Sequence, residues 1–281
     1  MFDLVGVDLP ALKDPVLVVA LRGWIDAGRC GQGVLTYLTE HMEGAVDVAE
    51  LDLTPIADLL HDRPEVRVVD GLVTSLTWPS LAVTTGNAGR DVVAVSGPEP
   101  ARGWRPLVHA LVGLARRAGV VEAVCVGGIP AGVTHHEEVR VLSTATDART
   151  AERVGDLRPD YQGPTGLQTC LQVALAEQGV PCAGLWAQVP PYVAATPSPP
   201  AVGAVLERMR EVAAVEVDTS ALAGEIAAYT AAVDARLAER PDLAELVRKL
   251  QQAVGGVEPD EDASGLVREI ERYLREFDDD S

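Results

Sequence analysis

The chain has 281 residues, 47% of them hydrophobic and only 4% aromatic, so its core must be packed mainly with aliphatic side chains and alanine. With 42 acidic against 23 basic residues it carries a formal charge of −19, which repels phosphate backbones and anionic membrane surfaces alike. Those figures exclude general nucleic-acid and membrane-surface binding and leave proteins and small molecules as partners.

After a lead-in punctuated by Pro10 and Pro15, Val16 to Leu21 is an unbroken apolar run, the pattern of a strand buried on both faces. Arg22 and Gly23 end it, and a glycine-rich elbow leads into a helix expected from about Gly28 to Met42, with Gly44 as its stop. Ala45 to Leu53 reads as a second strand. Short strands are then expected around Val66–Val69, Leu72–Thr77, Leu81–Thr85 and Asp91–Val95, a meander that includes an antiparallel edge. The theme of strand, loop and helix resumes with a helix over Gly103–Ala118, a buried strand over Val121–Val126 and a strand-like stretch over Val139–Leu142. A helix opened by Gly163-Pro164-Thr165, a strand over Ala183–Val189 and a helix over Ala201–Ala214 complete it.

Beyond Val215 the composition changes. Residues 216–281 hold 17 acidic and 7 basic residues, −10 of the total −19, in two or three amphipathic helical stretches. Leu222, Ile226, Tyr229, Val233 and Leu237 mark the first stripe; Leu243, Leu246, Val247 and Leu250 the second. Leu266 to Phe277 forms the last, after the Gly255-Gly256 break and the acidic run Glu258–Asp262. The alternation predicts an α/β fold, a sandwich with a mostly parallel sheet. Two domains are expected: residues 1–215, and an acidic α-helical C-terminal appendage over residues 216–281.

Cys30, Cys125, Cys170 and Cys182 lie far apart without a C-x-x-C pair, which fits a reducing compartment. No basic-then-apolar leader is visible, and no apolar run approaches the ~18 residues of a spanning helix. A cytoplasmic location is expected.

In mostly parallel sheets, ligands bind outside the carboxyl ends of the strands, here the loops 22–28, 127–137 and 188–199. The elbow has glycines at 23, 28, 31 and 33 but lacks the Lys-Ser/Thr of a phosphate loop and the G-x-G-x-x-G order. Asp26 is well placed there to cap backbone N–H groups. Thr134-His135-His136-Glu137-Glu138 is the densest polar cluster, with groups able to move protons near pH 7. Its spacing does not match a helical H-E-x-x-H site, and no Cys or His follows at ligand distance, so neither a metal nor a cofactor is expected. No Gly-x-Ser-x-Gly elbow exists, which disfavours a serine hydrolase. A candidate pocket over the strand ends is built from Trp24, Asp26, Gly28, Gly128, Pro130, His135, His136, Trp186 and Tyr192, with no catalytic role assigned within it.

Three stretches carry a family resemblance in order and spacing: Gly23-Trp24-Ile25-Asp26-Ala27-Gly28, Val126-Gly127-Gly128-Ile129-Pro130-Ala131, and Gly184 to Tyr192 (Gly-Leu-Trp-Ala-Gln-Val-Pro-Pro-Tyr). Together they resemble the PAC2 family, the proteasome assembly chaperone 2-like proteins. The ending Glu269–Glu276 is similar to bacterial members with a helical C-terminal extension. The resemblance spans roughly residues 15–210 plus the tail. It implies a three-layer α/β/α sandwich of phosphorylase- or hydrolase-like topology, related to nucleoside phosphorylases, in a family named for eukaryotic chaperones that help assemble the 20S proteasome. It implies no reaction and no catalytic residues. Where family members often continue Ile-Pro-Ala with proline and arginine, this chain reads Gly132-Val133-Thr134-His135-His136. The expected function is therefore non-enzymatic, through protein partners that include proteasome subunits and further copies of the chain. The alternative is a small-molecule enzyme using the pocket. Neither nucleic acid nor membrane is an expected partner.

Overall fold

A computed structural model describes residues 9–248, apart from 61, 156–159, 242 and 246. Its centre is β1 (Val16–Arg22), whose first six residues are fully buried, as an apolar run with no polar alternation requires. The other strands are β2 (Glu43–Asp52), β3 (Glu65–Val69), β4 (Leu72–Thr77), β5 (Ser80–Asn87), β6 (Asp91–Pro98), β7 (Glu122–Pro130), β8 (Val141–Ala145) and β9 (Cys182–Val189). The helices are α1 (Cys30–His41), α2 (Trp104–Ala118), α3 (Ala148–Arg153), α4 (Leu167–Ala176), α5 (Pro199–Ala213) and α6 (Leu222–Glu239).

Seven strands form one sheet in the order β2-β5-β6-β1-β7-β9-β8, and β3 and β4 form a separate two-stranded ribbon. The four central strands run parallel; β5 and β8 flank them antiparallel, and β2 pairs antiparallel with β5, which gives the antiparallel edge read in the meander. Alternate β1 residues feed two cores. Val16, Val18 and Ala20 pack under α1 and α5, while Leu17, Val19 and Leu21 pack under α2 and α4. The expected α/β/α sandwich is therefore present.

Local differences have identifiable causes. The first helix begins at Cys30 rather than Gly28, because Gly28 (φ 67°) and Arg29 (φ 46°) are left-handed and kink the chain after a short 3-10 turn over Ala27–Arg29. Gly44 does not stop α1: Met42 leaves the helix in an extended conformation, and Gly44 stands inside β2. The helix expected from Gly163 starts at Leu167. The short α3 went unread; Asp147 starts it by accepting the Thr150 N–H at 3.0 Å.

The first C-terminal stripe packs onto the body. Leu222, Tyr229 and Val233 of α6 are buried in the core under α5, with Ile226 and Leu237 beside them. Within the expected second stripe, residues 243–245 and 247–248 are helical; the final helix, the Gly255-Gly256 break and the acidic run lie outside the described residues.

Candidate functional site

The elbow after β1 is held from two sides. Asp26 makes an isolated parallel bridge to Gly128 of β7, and the Gly28 N–H donates to the Ala194 carbonyl at 2.6 Å. The Gly28 carbonyl in turn accepts the Ser198 N–H at 2.9 Å. This packing explains the Gly127-Gly128 pair. A Cβ on Gly127 would lie 2.2 Å from the Ile25 carbonyl oxygen, and one on Gly128 2.1 Å from that of Ala27. Only bare backbone fits beneath the elbow.

Asp26 sits where the elbow turns into α1. Its Oδ1 accepts the Gly31 N–H at 2.7 Å, whereas Oδ2 is buried without a hydrogen-bond partner. Burial raises its pKa to about 6, against the lowering pull of the Gly31 and Gln32 N–H groups and of Arg22 and Arg29. Asp26 is thus a backbone-bonded carboxyl that changes charge just below neutral pH. Cys30, one helical turn below, is fully buried with its thiol pKa pushed up by desolvation and then by Asp26, so it is no nucleophile.

A second constellation forms on the loop after β7. The Thr134 N–H and hydroxyl both donate to Glu137 Oε1 at 2.8 Å, which folds 134–137 into a tight turn. That turn brings the His135 and His136 rings together, tilted by 38° with centroids 4.1 Å apart. The His135 side chain is only 1% exposed. Its backbone N–H donates to the Tyr192 hydroxyl oxygen at 3.0 Å, and its Nδ1 lies 2.8 Å from that same oxygen. The Tyr192 proton is then directed to Nδ1, so Nε2 carries the ring hydrogen and donates to Asp234 Oδ1 of α6 at 3.0 Å. His136 Nε2 meets the same oxygen at 3.0 Å. Both imidazoles hold the Asp234 carboxyl below its usual range, chiefly through the His135 hydrogen bond. His135, His136 and Asp234 each offer one ligand atom, all within 4.8 Å of one another. No other such triple of His, Cys, Asp or Glu occurs among the described residues.

The nine pocket residues fall into separate groups. Asp26, Gly28 and Gly128 meet at the elbow, and His135, His136 and Tyr192 meet across the loops. Trp24 is 70% exposed, and Pro130 ends β7 in solvent. Trp186 is buried in the α2/α4 core, with its indole N–H on the Thr144 hydroxyl at 3.3 Å, and so faces away from Tyr192. Sequence reading missed Asp234. Its carboxylate lies 99 positions from His135, on a helix whose stripe signalled only an apolar face.

The other end of the sheet is open. Over β5 and β6, beside α1, a hollow of about 570 Å³ is lined by Arg22, Gln32, Thr36, Trp78, Ala82 and Ser96 among others. Next to it stands the β3–β4 ribbon, on which Val66, Val68, Val69, Leu72, Val73 and Leu76 are 43–70% exposed.

The PAC2 family pattern matches residues 20–237, more than three-quarters of the chain. The chain belongs to the PAC2 family. A Mycobacterium tuberculosis proteasome-assembly chaperone homologue shares 32% identity with this PAC2 protein, superposes with a TM-score of 0.74, and is covered over 98% of its length by 82% of this chain. A Streptomyces avermitilis PAC2 family protein gives 31% identity and a TM-score of 0.75, with 84% of this chain covering 99% of that one. Pyrococcus furiosus PbaB, an archaeal proteasome activator, shares the fold at 17% identity and a TM-score of 0.65, over 81% of this chain and 95% of its own. Among curated proteins, none matches. No helix among the described residues is long and apolar enough to cross a membrane.

Proposed function

We propose that this PAC2 protein works through protein–protein contacts in the cytoplasm, as a self-associating, proteasome-assembly-chaperone-like factor whose partners include proteasome subunits. The observation that carries this reading is the β3–β4 ribbon. A two-stranded ribbon alone is marginally stable, and six aliphatic side chains left in water on it have no internal purpose. Trp78 at its base is 48% exposed and lines the neighbouring hollow, so the apolar ribbon runs on into a hollow of mixed polar and apolar lining. Kinship with the M. tuberculosis proteasome-assembly chaperone homologue supports the choice of partner. The charge of −19 leaves nucleic acid out of it.

The test compares wild type with Leu72→Glu/Val73→Glu, by light scattering after size exclusion and by binding to purified proteasome α and β subunits. Both side chains are 70% exposed, so the variant folds normally and its melting temperature checks this. Wild type is expected to self-associate and bind subunits, and the variant to lose either contact at least tenfold. A monomeric wild type that ignores both subunits overturns the reading.

One observation favours a second reading, that of a small-molecule enzyme or binder: the buried Asp26 carboxyl with a free oxygen and a pKa of about 6. It predicts a ligand-induced melting shift that disappears in Asp26→Ala.

A further inference from the structure

We infer that His135, His136 and Asp234 form a binding site for a divalent transition-metal ion of the zinc class, one that ties α6 to the loop after β7. This goes beyond the partner-binding surface and stands independently of it.

The donor set selects the ion. Two imidazole nitrogens and one carboxylate oxygen suit zinc, cobalt or nickel, whereas magnesium and calcium take oxygen. The spacing is close to what an ion needs. Ligand bonds of about 2.0–2.2 Å around a tetrahedral ion place the donors about 3.3 Å apart. Both Nε2 atoms already lie 3.0 Å from Asp234 Oδ1 and the three ligand atoms lie within 4.8 Å of one another, so small movements of the half-exposed Asp234 and His136 side chains admit the ion.

The surroundings are those of a prepared site. His135 is buried and fixed from behind by Tyr192, whose oxygen is itself anchored by the His135 backbone N–H. When an ion takes Nε2, the ring proton sits on Nδ1 and donates to that oxygen, the arrangement that orients metal-binding histidines generally. His136 is set by the Thr134–Glu137 turn and by its tilted ring contact with His135. The cluster opens onto a hollow of about 750 Å³ between α5 and α6, lined by Glu137, Glu138, Glu207 and Glu216 with Arg210. That acidic excess favours a cation. Three protein ligands leave a fourth position for water or a small anion from the hollow.

The experiment titrates tag-free, chelator-treated full-length protein with Zn²⁺ by calorimetry and with Co²⁺ by visible absorption. One ion per chain is expected, with the d–d absorption of a four-coordinate Co²⁺ site and a higher melting temperature with Zn²⁺. Asp234→Asn and His136→Gln change half-exposed side chains that the fold does not need, and each weakens Zn²⁺ binding at least tenfold. Tyr192→Phe keeps every ligand and still weakens binding, because the His135 ring loses its support. Binding unchanged in Asp234→Asn and His136→Gln, or no binding at millimolar Zn²⁺, overturns the site.

Discussion

The two halves of the sheet are built to different standards. From β1 through β7 to β9, strands are covered on both faces, glycines replace side chains where the elbow crosses, and backbone bonds from 28 to 194 and 198 lock the loops together. From β5 out to β2, helices cover one face only, the edge strand β2 carries two register shifts, and an exposed ribbon stands alongside. Bulges of this kind discourage uncontrolled pairing along an edge. The first half fixes geometry. The second keeps apolar surface in water, at a cost that is recovered only when something covers it.

The contrast can be broken most severely at Gly128. Gly128→Ala drives a methyl into the Ala27 carbonyl 2.1 Å away, and a loss of about 3–5 kcal/mol, or failure to fold, is expected in urea denaturation. Next comes Leu171→Ala, at a fully buried position under the same half, expected to cost about 2–5 kcal/mol. Its counterpart on the ribbon, Leu72→Ala, is expected to change monomer stability by no more than about 0.5 kcal/mol.

Asp26 gives a prediction of intermediate size. Its folded pKa of about 6 lies above the ordinary carboxyl value of 3.8, so the folded state binds the proton more tightly than the unfolded chain. This group's contribution is greatest below pH 4 and is lost as pH rises through 6, about 3 kcal/mol in all. Asp91, Asp147 and Asp218, whose pKa values are lowered by hydrogen bonds, act in the opposite sense and lose stability toward acid. The measurement is therefore the difference between wild type and Asp26→Asn at pH 4 and pH 7. Asp26→Asn is expected to be relatively better tolerated at pH 7, and an equal difference at both pH values would show that Asp26 does not titrate there.

Sequence reading located the closed half well, because two-sided burial writes itself as uninterrupted apolar runs such as Val16–Leu21 and Ala123–Val126, within the strand read over Val121–Val126. It found the ribbon's strands but not their isolation, since Val66 or Leu72 looks the same in a core and in water. The three family motifs proved to be the pieces that meet at the elbow and its supporting strands, which ties their spacing to packing. The His135–Asp234 contact was illegible for a different reason. The chain after Val215 read as a separate acidic appendage, and nothing in a stripe of Leu, Ile, Tyr and Val says which polar neighbour on the same helix turns inward.

The position of β1 has a consequence for synthesis. β1, the middle strand of the finished sheet, is made before both of its parallel neighbours, residues 91–98 and 122–130. At roughly 5–20 residues per second, a ribosome needs on the order of ten seconds to deliver them. For that interval the apolar run Val16–Leu21 has neither of its parallel partners, so aggregation of the unfinished chain, not of the folded one, is where this topology is exposed.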